Sequence, residues 1–134
     1  MRQTFASGSP FETAFGYARA VKVGDTVYVA GTIGRDPDTG TLPEDPAAQY
    51  RNAIGIISRA LEEAGSSIDD IVQLTTYVAS GTTFTEVIGP LMGDTFGHIR
   101  PTNTALVVNF PWPGIAVEIQ SIAVIGAGPA RSGA

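Results

Sequence analysis

Between Gly16 and Val23 the side chains Tyr17, Arg19, Val21 and Val23 alternate with Ala18, Ala20 and Lys22, the period-two pattern of a β-strand. Gly24-Asp25 is a two-residue hairpin link, and Thr26 to Ala30 continues as a second strand that ends at Gly31-Thr32. Ahead of this pair, Gln3 to Ala6 predicts a short edge strand followed by a Gly-Ser-Pro turn. Behind it, Arg35 to Pro43 is a polar loop with two prolines and a glycine.

The period then changes. Tyr50, Ala53, Ile54, Ile57, Ala60, Leu61 and Ala64 recur at three- and four-residue spacing, one broad apolar helix face. Asp45 caps this helix, Pro46 suits its first position, and Gly65 is a natural stop. Ile71 to Ala79 is β-branched and aromatic with apolar residues on both faces, as an interior strand requires. Thr83-x-x-Glu86 reads as a capping box opening a second helix, with Phe84, Val87, Ile88, Leu91 and Phe96 buried. Gly89-Pro90 interrupts that helix, so a kink or break is expected there.

Two β-rich runs close the pattern, Thr102 to Phe110 and Ile115 to Ile125, around a Pro-Trp-Pro-Gly connection. They predict a hairpin with a longish loop. A turn near Pro111-Trp112 would set Asn103 opposite Ile119 or Gln120, with Glu118 close across the ladder. In the last run Val117, Ile119, Ser121, Ala123 and Ile125 share one face, and Glu118, Gln120, Ile122 and Val124 the other. Glu118 is thus a carboxylate in an otherwise apolar strand, which places it either at a wet edge or in a site. The predicted order is β-β-β-α-β-α-β-β, an α+β domain with two helices on one face of a mixed sheet. No third layer remains for the other sheet face, so a second copy of the chain is its expected cover.

Composition narrows the chemistry. A chain of 134 residues makes one domain, here residues 1–125, with a small-residue tail at 126–134 expected to be flexible. Charged residues are only 16%, against roughly 25% in ordinary soluble domains, which favours self-association. The formal net charge of -5 argues against a nucleic-acid partner but not against one small anion held by one arginine. With no cysteine and a single histidine, thiolate chemistry and Cys- or His-rich metal centres are excluded. No run approaches the ~18 apolar residues of a membrane span, and no signal-peptide core opens the chain; a cytoplasmic protein is expected.

Several local patterns have simpler explanations than chemistry. Asp38-Thr39-Gly40 matches three letters of an aspartic-protease site but sits in a polar turn without the required apolar strand. Asp36-x-Asp38-x-Gly40 lacks the terminal glutamate of a calcium loop, Ala47 standing there instead. His98 has no local metal partner and reads as a helix-end histidine. Gly31 to Gly34 is either a structural turn or a loop whose N–H groups face an anion. Arg19, among small apolar neighbours, reads as a salt-bridge or rim residue before a ligand clamp.

The stretches G-Y-A-R-A-V-K-V-G-D (Gly16 to Asp25) and V-Y-V-A-G-T (Val27 to Thr32) resemble the opening hairpin of the reactive-intermediate deaminase family, RidA or YjgF. A-L-E-E-A-G at 60–65, I-V-Q-L-T-T-Y-V at 71–78, and R-P-T-N-T-A-L-V-V at 100–108 with Val117-Glu118-Ile119 extend the resemblance, in order, from about Gly16 to Ile125. It implies a chorismate-mutase-like fold, a homotrimer with clefts between subunits, and cofactor-free hydrolysis of enamines and imines to a keto acid and ammonia. Within that resemblance Tyr17 and Glu118 match the family's site tyrosine and its water-holding glutamate. Apart from it, backbone N–H groups near Gly31 and Thr32 are expected to stabilise developing charge.

The family's carboxylate-gripping arginine does not carry over, because Asn103 stands in its place. Thr32 and Arg19 also stand where many members have glutamine, and Ile88 where many have asparagine, a pattern similar to the branch that lacks the arginine. Charge-assisted bonds contribute about 1.5–3 kcal/mol against roughly 1 for neutral ones, so the usual 2-imino acid should bind about tenfold more weakly or worse. Either Arg19 or Arg100 replaces the lost charge, or Asn103 bonds a ligand that has no carboxylate at that point. The second alternative is favoured, since Arg19 must reach sideways and Arg100 precedes the strand. A non-catalytic metabolite-binding trimer is the competing expectation, and an endoribonuclease a weaker one.

Overall fold

A computed structural model describes residues 1–129. Its strands are β1 (Arg2–Phe5), β2 (Ala20–Val23), β3 (Thr26–Ile33), β4 (Ile71–Val78), β5 (Thr102–Val107) and β6 (Val117–Val124). Its helices are α1 (Pro10–Phe15), α2 (Pro46–Glu63) and a composite α3 over 81–96. The β2–β3 hairpin turns at Gly24-Asp25 with Val23 opposite Thr26, as its two-residue link demands.

The strand order is β1-β2-β3-β6-β4-β5, and only β4 and β5 are parallel. The expected terminal hairpin therefore does not form. β6 pairs antiparallel with β3 and β4 at the centre of the sheet, and β5 lies beyond β4 at its edge. Val117, Ile119 and Ala123 of β6 are fully buried there, and β6 gains ladder bonds on both sides. An edge position would have forgone one ladder and much of that burial. α3 carries the chain from β4 over to β5, the crossover that a parallel neighbour needs.

α2 begins and ends as its sequence predicts. Asp45 accepts from the Ala47 N–H, and Pro46 takes the first helical position. At the other end Gly65 donates to the Glu62 carbonyl and Ser66 to the Leu61 carbonyl, a Schellman stop with Gly65 at φ 84°. α3 differs from expectation: its cap is Ser80, whose Oγ accepts from the Thr83 N–H, and not Thr83. Its turn at Phe84–Ile88 is π-helical, with the Gly89 N–H reaching the Phe84 carbonyl. The widened turn stands just before Pro90, which has no N–H to offer a regular ladder.

α1 replaces the expected turn. Ser9 caps it, Pro10 opens it, and Gly16 closes it at φ 73°. The core joins Val27, Val29, Leu74, Val78, Val117 and Ile119 of the sheet to Ile57 and Leu61 of α2 and Ile88 and Phe96 of α3. The opposite sheet face presents Tyr28, 49% exposed, beside partly buried Val21, Ile122 and Val124. After β6 the chain turns at Ile125-Gly126, and further on the Gly128 N–H is bonded to Asp70; residues 130–134 of the expected tail lie outside the described chain.

Candidate active site

The site begins with a fault in the ladder. Val29 pairs with Ser121 and Thr32 with Ile119, so three residues of β3 span two of β6. The extra residue at Ala30-Gly31 is a β-bulge, which switches the buried face from Val27 and Val29 to Thr32. Gly31 to Gly34 is thus strand for the most part, and neither a turn nor a free loop. Glu118 falls opposite Ile33 on one side and Tyr77 on the other. Its carboxylate lies over Gly31, where an ideal Cβ would stand 2.6 Å from Oε2.

A buried ion pair braces the bulge from behind. The Glu12 carboxylate accepts from the Ser7 N–H at 3.0 Å, from the Ser7 hydroxyl, and from Arg19 Nε at 3.3 Å. Arg19 Nη1 then donates to Thr32 Oγ1 at 2.7 Å and to the Gly31 carbonyl at 3.1 Å. Both Glu12 and Arg19 are 6% exposed. Arg19 is therefore a structural brace in this chain; the residue precedes β2 and is not on a strand with Tyr17. Its guanidinium carbon does sit 5.6 Å from the centre of the Tyr17 ring. Burial raises the Glu118 pKa above the ordinary carboxylate value, and the nearby Arg19 charge partly opposes that rise.

Tyr17, Arg19, Gly31, Thr32 and Glu118 line one cavity of about 600 Å³. Asn103 and Arg100 are not in its wall. Asn103 pairs with Leu74 across the β4–β5 ladder and accepts a bond from Thr76 Oγ1 at 2.8 Å. Thr76 is opposite Ile119, so Asn103 belongs to the helix-bearing face while Glu118, by alternation, belongs to the other. The expected pairing of Asn103 with Glu118 across one ladder is corrected accordingly. Arg100 sits at φ 58° in the exposed turn from α3 into β5.

No sequence pattern singles out Phe11, Arg35 or Trp112 as lining this cavity, nor Glu12 as the acid behind it. Glu12 did carry a signal as a helix-start residue, since Ser9-Pro10-Phe11-Glu12 has the spacing of a capping box with proline first. Nothing local marked Arg35 or Trp112, which lie in polar and proline-rich connections. Asp36 is a turn residue as expected, its Oδ1 accepting from the Asp38 and Thr39 N–H groups. His98 is exposed past the end of α3 and meets Asp69 at 3.1 Å. Among the described residues no group of three or more His, Asp or Glu side chains is placed to hold a metal, and no helix is long and apolar enough to cross a membrane.

A family profile described as endoribonuclease L-PSP matches residues 8–125. A RutC family protein of Pyrococcus abyssi is 33% identical over 108 residues, covering 80% of this chain and 84% of its own. A Mus musculus protein named 2-iminobutanoate/2-iminopropanoate deaminase is 31% identical over 111 residues, 82% of each chain. The crystal structure of a YjgF/YER057c/UK114 family member from Mycobacterium tuberculosis is similar with a TM-score of 0.83 at 39% identity, covering 93% of this chain and 100% of the other.

Proposed function

The chain belongs to the RidA/YjgF family, with its chorismate-mutase-like α+β fold, and on that premise we propose a cofactor-independent hydrolase of an imine, enamine or related small unsaturated C–N compound. The observation that carries this reading is one half-buried carboxylate, Glu118, held over a backbone bulge in a cavity beside Tyr17. A raised pKa brings a carboxylate nearer to the working pH of a general base. Water adds to the imine carbon as Glu118 takes its proton. Glu118 returns that proton to the nitrogen, giving the carbinolamine, and then relays the carbinolamine's hydroxyl proton to the same nitrogen, so that ammonia leaves as the carbonyl forms. Tyr17 orients the ligand, and the N–H groups near Gly31 and Thr32 face the developing charge.

Asn103 and Arg100 enter such a site only from another copy. The half-exposed outer face at Tyr28 and the open edge of β5, where Leu106 and Val107 are 46% and 62% exposed, support a homotrimer with clefts between subunits. Light scattering tests this directly: a monomer at micromolar concentration would remove Asn103 from the site. For the chemistry, 2-imino acids generated in situ by an amino-acid oxidase are followed by ammonia release. Glu118→Gln should reduce the enzyme to the spontaneous rate while leaving the assembly intact; unchanged turnover in that variant would sink the mechanism.

Asparagine at position 103 supports a second reading, a non-catalytic trimer that binds a metabolite in the same cleft. No acceleration with any imine, alongside saturable ligand binding, would decide for it. Endoribonuclease activity is disfavoured, since a net charge of -5 opposes the approach of a polyphosphate.

A further inference from the structure

Arg35 is the cavity's remaining cation with a buried donor. It lines the wall without an ion-pair partner: among the described residues the only ion pairs are Arg19–Glu12 and His98–Asp69. Its Nη1 makes one long bond, 3.3 Å to the Gly40 carbonyl, and its Nε–H is buried with no acceptor among the described residues. Asp36, the neighbouring acid, accepts instead from its own turn at Asp38 and Thr39. A guanidinium with an unfilled N–H is costly to bury unless something completes its fork. The other unpaired arginine of the wall, Arg59, is exposed on α2.

The surroundings of Arg35 are aromatic. Its guanidinium carbon stands 5.4 Å from the centre of the Phe11 ring. Phe11 in turn meets Trp112 with ring centres 5.2 Å apart and planes tilted by 47°. Trp112 remains 39% exposed. The cavity runs from Glu118 to this aromatic wall, with Phe11, Arg35 and Trp112 all among its lining residues.

We infer that Arg35 binds the carboxylate of the ligand while Phe11 and Trp112 hold its planar, apolar end, so that the site takes an aromatic or similarly flat carboxylic acid. The charge lost at Asn103 returns from the loop after β3. Arg19 is committed to Glu12 and the bulge, and cannot turn to the ligand without stranding a buried acid. The inference rests on the cavity beside Glu118 being the ligand site, as proposed above.

The test needs no turnover. Trp112 is the sole tryptophan, so its fluorescence reports occupancy of this wall. The probes are 3-phenylpropanoate and its uncharged amide, 3-phenylpropanamide. Wild type should bind both saturably and prefer the acid about tenfold or more, the difference between charged and neutral hydrogen bonds. Arg35→Gln should erase the preference and leave amide affinity unchanged, which also shows that the fold survives. Arg35→Lys should keep part of the preference, and Arg59→Gln all of it. Retained acid preference in Arg35→Gln, equal loss in Arg59→Gln, or no saturable signal from either probe at millimolar concentration overturns the inference. A protein that passes this test yet hydrolyses no imine would refute the hydrolase reading alone.

Discussion

The carboxylate of Glu118 occupies the space that a side chain at Gly31 would need, with 2.6 Å between Oε2 and an ideal Cβ. The obstacle is the far end of a flexible side chain, so Gly31→Ala should fold with little loss of thermal stability. Glu118 would swing away from the bulge, and a displacement of about 1 Å at a reacting group can cost about 100-fold in rate. Ammonia release in Gly31→Ala should therefore fall by roughly 10- to 100-fold. Full activity would show that the carboxylate's position over Gly31 is immaterial.

Glu118 also couples activity to stability through pH. Its folded pKa is raised, mainly by burial. The neutral form is thus favoured by the fold, and its stabilising contribution is complete below the unfolded pKa and lost as pH rises through the folded one. At neutral pH the ionised group is a burden on the fold. Glu118→Gln should melt higher than wild type at pH 7, and the gap should close on acidification. For the base reaction the sign is opposite, with rate falling as pH drops through the same raised pKa. A wild-type rate profile flat through the weakly acidic range would count against Glu118 as base.

Glu12→Gln leaves Arg19 buried at 6% exposure without its charge partner. Breaking one side of such a pair typically costs about 3–5 kcal/mol, or a Tm drop of roughly 10 °C or more for a domain of this size. Adding Arg19→Gln should recover much of that loss, because the stranded charge disappears. The double variant should also lose the restraint on Glu118, moving its acid limb to higher pH. Independent, additive losses in a double-mutant cycle would refute the coupling.

Two glycines predict opposite outcomes. A Cβ on Gly34 would lie 1.9 Å from the backbone oxygen of Gln49, where the end of β3 packs against α2. Neither backbone yields cheaply, and Gly34→Ala should cost about 3 kcal/mol or more. Gly55 faces open space in the interior of α2, so Gly55→Ala should stabilise by about 0.5–1 kcal/mol. Denaturant midpoints of the two variants check both signs.

What was legible in the sequence is what neighbouring residues decide among themselves. Gly24-Asp25 specifies a tight hairpin, and Asp45-Pro46 with Gly65 bounds α2, because caps and turns are settled within a few bonds. Glu118 stood out for the same local reason, as a charge in an apolar strand. Ser9 to Glu12 carried such a signal too, too short to outweigh the turn residues around it.

Partnership was decided only in three dimensions. The alternation of β5 and β6 suits a hairpin as well as it suits the observed sheet. β6 instead takes the centre because Val117, Ile119 and Ala123 are fully enclosed there and the strand is bonded on both sides. That choice sends Asn103 to the far edge and the opposite face, and leaves the bulge at Gly31 beside Glu118. It equally brings Arg35, from a loop with no pattern of its own, to the aromatic wall of the same cavity. Burial and ladder bonds are summed over the whole chain, so these neighbours follow from the packed sheet and not from any window of residues.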